Sequence, residues 1–209
     1  MKLRIDRQAK GFTLIEILVV IAIIASLGAI SWVAVGAVQS KEAENTAQLH
    51  LEKIVAALNE YKANATTPML WGNGDEDSAN ALYQMLNSDF DGDGSPDKGL
   101  TPVCKELRYY DPSSGERPEG LLYTEISKRK YGIVDPWGSY FFYRLGYAQE
   151  GPKAYGKAKR SKGGDKKQKG KGLNVDFDIF SLGEDGLGDG KNNKGENEDN
   201  ITNIKFLTK

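Results

Sequence analysis

The sequence predicts an α+β chain in which a long N-terminal helix, apolar in its first half and amphipathic in its second, packs on a small antiparallel sheet of about three strands, with long loops. Three observations carry this reading. Ile17 to Ser40 is an uncharged run of 24 residues. Ala47, Leu51, Ile54, Leu58 and Tyr61 then recur at steps of four and three, the apolar stripe of a helix. Beyond Pro68 the chain breaks into short β-rich runs separated by Gly, Pro, Asp and Ser.

The first element begins with a basic flank. Residues 1–11, MKLRIDRQAKG, set Lys2, Arg4, Arg7 and Lys10 against Asp6, a net of +3. At about 1.5 Å per residue the uncharged run spans about 36 Å, enough for a hydrocarbon core of about 30 Å. It is too long for the apolar region of an ordinary secretory signal, about 7–15 residues. The flank places the N-terminus inside and the bulk of the chain outside a membrane. Glu16 interrupts the apolar segment near that flank. A carboxylate at mid-membrane costs about 3 kcal/mol and calls for a partner, unless it snorkels to the headgroups.

The helix continues through 41–67, with Lys41, Glu42, Glu44, Glu52, Lys53, Glu60 and Lys62 mostly off the stripe, and Pro68 and Trp71 to Gly74 end it. His50 reads as ordinary helix surface. Ser78 to Asn87 reads as a second short helix, and Cys104 as a small buried apolar residue in an irregular stretch. Strands are expected at Ser139 to Leu145, Val175 to Leu182 and Ile201 to Leu207. The organisation is therefore 1–11 flank, 12–40 apolar helix, 41–67 amphipathic spine and 68–209 polar head, with 153–171 as a basic flexible loop.

Composition narrows the chemistry. From Phe12 to Val38, 21 of 27 residues are apolar, whereas from Gln39 onward only 57 of 171 are, so the head has a small core and needs other ties. One Cys and one His exclude an internal disulfide and thiolate-rich zinc sites, and make a Ser/His/Asp or Cys/His centre a poor fit. No cluster combines nucleophile, base and oxyanion donor, so no enzyme is expected.

Asp89-Phe90-Asp91-Gly92-Asp93-Gly94-Ser95-Pro96-Asp97 sets oxygen side chains at loop positions 1, 3, 5, 7 and 9 with Gly at 6, the spacing of a calcium loop. Position 12 is Leu100 rather than Glu, so the loop is closer to short Asp-rich calcium repeats than to an EF-hand. Asp89, Asp91, Asp93, Ser95 and Asp97 are the candidate ligands. The competing reading is a solvated acidic turn.

Residues 153–171 carry nine Lys and Arg against Asp165, a net of +8, and 174–200 carry eight acids against Lys191 and Lys194, a net of −6. A loop without apolar anchors is the first reading, then contact with acidic neighbouring copies or anionic lipid. Tyr155 alone offers little aromatic interleaving, and a nucleic-acid partner is not expected.

Lys10-Gly11-Phe12-Thr13-Leu14-Ile15-Glu16-Ile17 resembles the processing site of class III signal peptides, found in type IV pilins and type II secretion pseudopilins. The resemblance implies that 1–11 is a leader removed by a prepilin peptidase after Gly11, that Phe12 becomes the N-methylated first residue, and that Glu16 is its fifth. A new amine on Phe12 would find its counter-charge in Glu16 of a neighbouring subunit, setting assembly register. Without the leader the side-chain charge is −4 rather than −1.

Asp135-Pro136-Trp137-Gly138, followed by Asp176 to Gly186 (DFDIFSLGEDG), is similar to the major pseudopilin of type II secretion. That resemblance implies a second calcium loop using the Leu182 carbonyl, Asp185, and Asp199 or Asn200, with Asp189 as an extra candidate. The family's carboxylate before the final Ile is Asn200 here. It further implies an inner-membrane, single-pass protein with a periplasmic head. Its partners would be copies of itself, minor pseudopilins, a platform protein and an assembly ATPase, building a filament that drives protein export. A type IV pilin serving adhesion or DNA uptake, and a membrane-tethered calcium module, are the competing readings.

Overall fold

The structure is a computed structural model that describes residues 12–64, 68–114, 120–152, 167–188, 190 and 195–204, with the side chains of 28–37, 151–152, 167–168 and 197 outside this set. Residues 1–11, including Gly11, residues 153–166 and Asp189 also lie outside it. The fold class is α+β, in two compact units, Met1–Glu42 and Ala43–Lys209.

Helix α1 covers Leu14–Asn64. In the first unit its described side chains, from Leu14 to Leu27, are exposed. Among the described residues no helix is long and apolar enough to cross a membrane. The apolar run continues into 28–37, whose side chains are not described.

In the second unit the stripe is buried. Ala47, Leu51, Ile54, Leu58 and Tyr61 join the main core, together with Ala57. His50 is the correction: it is 6 % exposed, buried on the same face because it lies three residues after Ala47 and four before Ile54. Its charged sequence neighbours Glu52 and Lys53 are exposed.

Helix α2, Glu76–Asn87, starts two residues before the expected boundary because Asp75 caps it: the Asp75 carboxylate accepts from Ser78 N–H at 2.9 Å. Ser88 closes it in the left-handed region at φ 56°. Ala81, Leu82, Met85 and Leu86 are all buried.

The small antiparallel sheet of three strands expected from sequence is present, and a second three-stranded sheet and a two-stranded ribbon accompany it. In the first sheet β1 (Arg108–Tyr109) runs parallel to β2 (Leu122–Ser127), which pairs antiparallel with β3 (Lys130–Val134). This sheet falls in the region read as irregular. Its hairpin turns at Lys128 and Arg129, with Arg129 at φ 65°, and so lacks the Asn-Gly or Asp-Gly signal that marks most tight hairpins. In the second sheet β4 (Phe142–Leu145), β7 (Phe177–Ser181) and β8 (Ile201–Thr202) are antiparallel in the order β4-β7-β8. These are the three strands read from sequence, shorter at their ends, with 205–207 outside the described residues. Between them β5 (Glu150–Pro152) and β6 (Lys167–Lys169) form a two-stranded ribbon. Leu145, Phe177 and Ile179 of the second sheet enter the same core as the α1 stripe.

Candidate functional site

The N-terminal motif has its own local geometry. Thr13 N–H and Thr13 Oγ–H both donate to Glu16 Oε2, at 2.7 and 2.8 Å, and Glu16 N–H returns to Thr13 Oγ1 at 3.3 Å. This is a capping box: two orphan donors of the helix start are satisfied reciprocally. The Thr-x-x-Glu spacing ahead of an apolar run was its signal in the sequence, and Thr13 is the residue the sequence reading passed over. Phe12 precedes the box and is 82 % exposed. Gly11 lies outside the described residues.

The Asp loop leaves α2 at Ser88. Asp89 is fully buried, and its carboxylate is the loop's internal anchor. Oδ1 accepts from Gly92 and Asp93 N–H at 2.8 and 3.2 Å; Oδ2 accepts from Gly94 N–H and Tyr83 O–H, both at 2.9 Å. Four donors fill the lone-pair capacity of one carboxylate. Burial nevertheless pushes the Asp89 carboxyl above the ordinary aspartate range, against the pull of those hydrogen bonds. Gly92, at φ 71°, packs so close that a Cβ there would meet the Arg129 carbonyl at 2.4 Å. Tyr83 packs with tilted rings at 4.7 Å from Tyr123 and 4.9 Å from Tyr131, which ties α2, and through the Tyr83 hydroxyl Asp89, to the first sheet.

The structure brings Asp89, Asp91 and Asp97 together: one oxygen of each lies within 4.8 Å of the others. Calcium holds oxygens at about 2.3–2.6 Å, so opposed ligands sit about 5 Å apart and this trio fits one hard cation. Asp97 Oδ2 also accepts from Phe90 N–H and Asp91 Oδ1 from Asp93 N–H. Asp93 is not in the trio. It accepts from Ser95 N–H at 2.9 Å, and both residues are exposed.

At the other end of the head, the two segments of the C-terminal resemblance meet. Asp135, 1 % exposed, accepts from Trp137 and Ser139 N–H through Oδ1, and from Ser181 O–H through Oδ2 at 2.6 Å. The turn before β4 is thereby tied to the end of β7. Burial raises the Asp135 carboxyl. Past Ser181, Gly183 at φ 71° lies against Asp199, and Asp185 N–H donates to Asp199 Oδ2 at 3.0 Å. Asp185 and Asp199 therefore adjoin, the Leu182 carbonyl belongs to the same turn, and Asn200 is half-buried beside it. Ser181→Ala is expected to cost about 1–3 kcal/mol by depriving a buried carboxylate of a donor. Urea unfolding should show a lower midpoint at unchanged slope, and an unmoved midpoint would contradict the tie.

A long N-terminal helix, at whose start the sequence places a Gly-Phe-x-x-x-Glu motif, together with an α+β head is consistent with a pilin-like fold. The family model described as the prokaryotic N-terminal methylation motif matches residues 6–32. That motif is the class III signal peptide of type IV pilin-like proteins, and it supports this superfamily and a pilus- or pseudopilus-type subunit processed by prepilin peptidase. No curated protein and no solved structure matches the chain.

Proposed function

We propose that the chain is the major structural subunit of a type II secretion pseudopilus. The observation that carries the reading is the methylation motif over residues 6–32, with Gly11, Phe12 and Glu16 at its processing positions. Cleavage after Gly11 leaves an apolar helix anchored in the inner membrane as a single pass, with the head in the periplasm. Copies then leave the bilayer through a platform protein and ATPase, and join minor pseudopilins in a filament. The exposed Phe12, Leu14, Ile15, Ile17 and Leu18 suit a helix whose surroundings are lipid and later its own copies. The contact of Asp135 with Ser181 supports the secretion-type head, because it makes one unit of the two segments that resemble that family.

Calcium is part of the proposal. Asp89, Asp91 and Asp97 would hold one ion, with Asp93 and Ser95 at the loop's outer turn. The Leu182 carbonyl, Asp185, and Asp199 or Asn200, with Asp189, would hold a second. Either ion would act as a clip on a loop poor in apolar residues.

The test is mass spectrometry of the membrane-fraction protein together with Glu16→Ala. A methylated Phe12 at the N-terminus and loss of filaments in the variant are expected. An intact Met1, or normal filaments from Glu16→Ala, would overturn the processing or register role respectively.

A further inference from the structure

The head carries two surfaces of opposite character at opposite ends of one strand. Before β7, the chain runs through Lys169, Lys171, Leu173 and Val175, all exposed. Tyr147, 51 % exposed, is joined to this segment by its N–H to the Asn174 carbonyl at 3.1 Å, and Gly172 N–H donates to the Leu145 carbonyl at 2.8 Å. This end is basic and apolar. Glu150 is the register partner of Lys169 in the ribbon and Asp176 is taken by Lys62 at 2.5 Å, so among the described residues Lys169 and Lys171 carry the positive charge of this end.

After β7 come Glu184, Asp185 and Leu187, exposed, with Glu196 and Glu198 exposed in the turn that leads into β8. Ile201 pairs with Ser181, which places that turn at the C-terminal end of β7. This end is acidic, and Leu187 is its exposed apolar residue at 52 %.

The five residues of β7 separate the two ends by about 17 Å, at about 3.4 Å per residue. Salt screens charges over about 8 Å at physiological ionic strength, so the two ends do not neutralise each other within one head. They are complementary in charge and in apolar content, and they are different surfaces. A contact between them is heterologous, and repetition of a heterologous contact gives an open helical array wherever its rotation does not close a ring.

We infer that the basic end of β7 in one copy docks on the acidic end of β7 in the next, a heterologous contact between neighbouring heads of the filament that rests on the proposed assembly. The apolar trio Tyr147, Leu173 and Val175 would meet the region of Leu187, with Lys171 facing Glu196 and Glu198. The contact sets polarity, because each end recognises only the other.

The test uses the full chain expressed in membranes. Lys169→Glu with Lys171→Glu, and separately Glu196→Lys with Glu198→Lys, each juxtapose like charges and should lower filament yield about tenfold. Combining all four changes should restore it. A bismaleimide should link Lys171→Cys of one copy to Glu196→Cys of another in co-expressing cells. Native Cys104 is buried with its thiol pushed up by burial, so it does not compete. Thermal melting of each variant checks folding. Filaments in wild type that persist unchanged in both charge-reversed variants overturn this interface and leave the filament reading intact. Absence of filaments in wild type overturns the filament reading itself. A Lys171→Cys probe that is quenched by brominated anionic lipid and forms no chain-to-chain link assigns the basic end to a membrane surface, and also overturns the interface.

Discussion

Asp178→Ala should destabilise the head by about 3–5 kcal/mol, a large share of the about 5–15 kcal/mol that holds a typical domain. Asp178 is fully buried opposite Arg144, which is 3 % exposed on its side chain, with Nη1 3.4 Å from Oδ2. Arg144 also lies over the Phe180 ring at 5.0 Å. What sets this pair apart is that Asp178 serves two further donors: Leu173 N–H at 2.7 Å and Asn174 N–H at 2.8 Å. Replacing both members of a buried ion pair by apolar residues is often neutral, but here the backbone donors of the segment before β7 would still lose their acceptor. Asp178→Ala should therefore cost more than Arg144→Met. Denaturant melts of the detergent-solubilised chain measure both, and an equal or reversed order would show that the Arg144 contact, rather than the backbone donors, dominates.

Calcium should raise the melting temperature at neutral pH, by the equivalent of about 2.7 kcal/mol per site at a hundredfold excess over the dissociation constant, and Asp89→Asn should remove the share contributed by the first loop. The sign of the pH dependence follows from the raised folded-state pKa of Asp89. In the metal-free protein the folded chain holds that proton more tightly than the unfolded one. The contribution is full below the ordinary aspartate value of about 3.9 and is lost as pH rises through the folded value. A cation reverses this by favouring the carboxylate. The calcium shift should thus shrink as pH falls toward 4, and the difference between wild type and Asp89→Asn isolates Asp89 from the other carboxyls. Because all four acceptor positions of Asp89 are engaged, an ion must compete with Tyr83 O–H for Oδ2. Tyr83→Phe should then bind calcium more tightly while melting lower without it. No calcium shift in wild type, or an equal shift in Asp89→Asn, would remove the first loop from the proposal.

What the sequence disclosed and what it hid follow from range. The α1 stripe, the α2 core positions and the three strands of the second sheet are periodic, and periodicity is local information. His50 shows how local charge misleads, since Glu52 and Lys53 suggest a surface while the three-and-four spacing puts His50 on the buried face. The first sheet was hidden because its hairpin turns on Arg129 instead of Gly. In the Asp loop three of the spaced residues, Asp89, Asp91 and Asp97, lie together, and the spacing could not show that Asp89 is saturated by the loop's own N–H groups and by Tyr83. The pairs Asp135 with Ser181 and Arg144 with Asp178 are separated by 46 and 34 residues, and nothing in local pattern announces them.

The β5–β6 ribbon also gives the head a place to carry foreign sequence. Pro152 and Lys167 are register partners, so the 14 residues from 153 to 166 begin and end at a closed ladder. Doubling the length of a chain segment already closed at its ends costs only about 0.6 kcal/mol. An epitope or fluorophore-binding tag inserted between Pro152 and Lys167 lengthens a segment whose two ends the ribbon holds together. The ribbon is thus an attachment point for following single subunits, and because Lys169 and Lys171 lie at its exit, a tag there that blocks filament growth would itself report on the proposed contact.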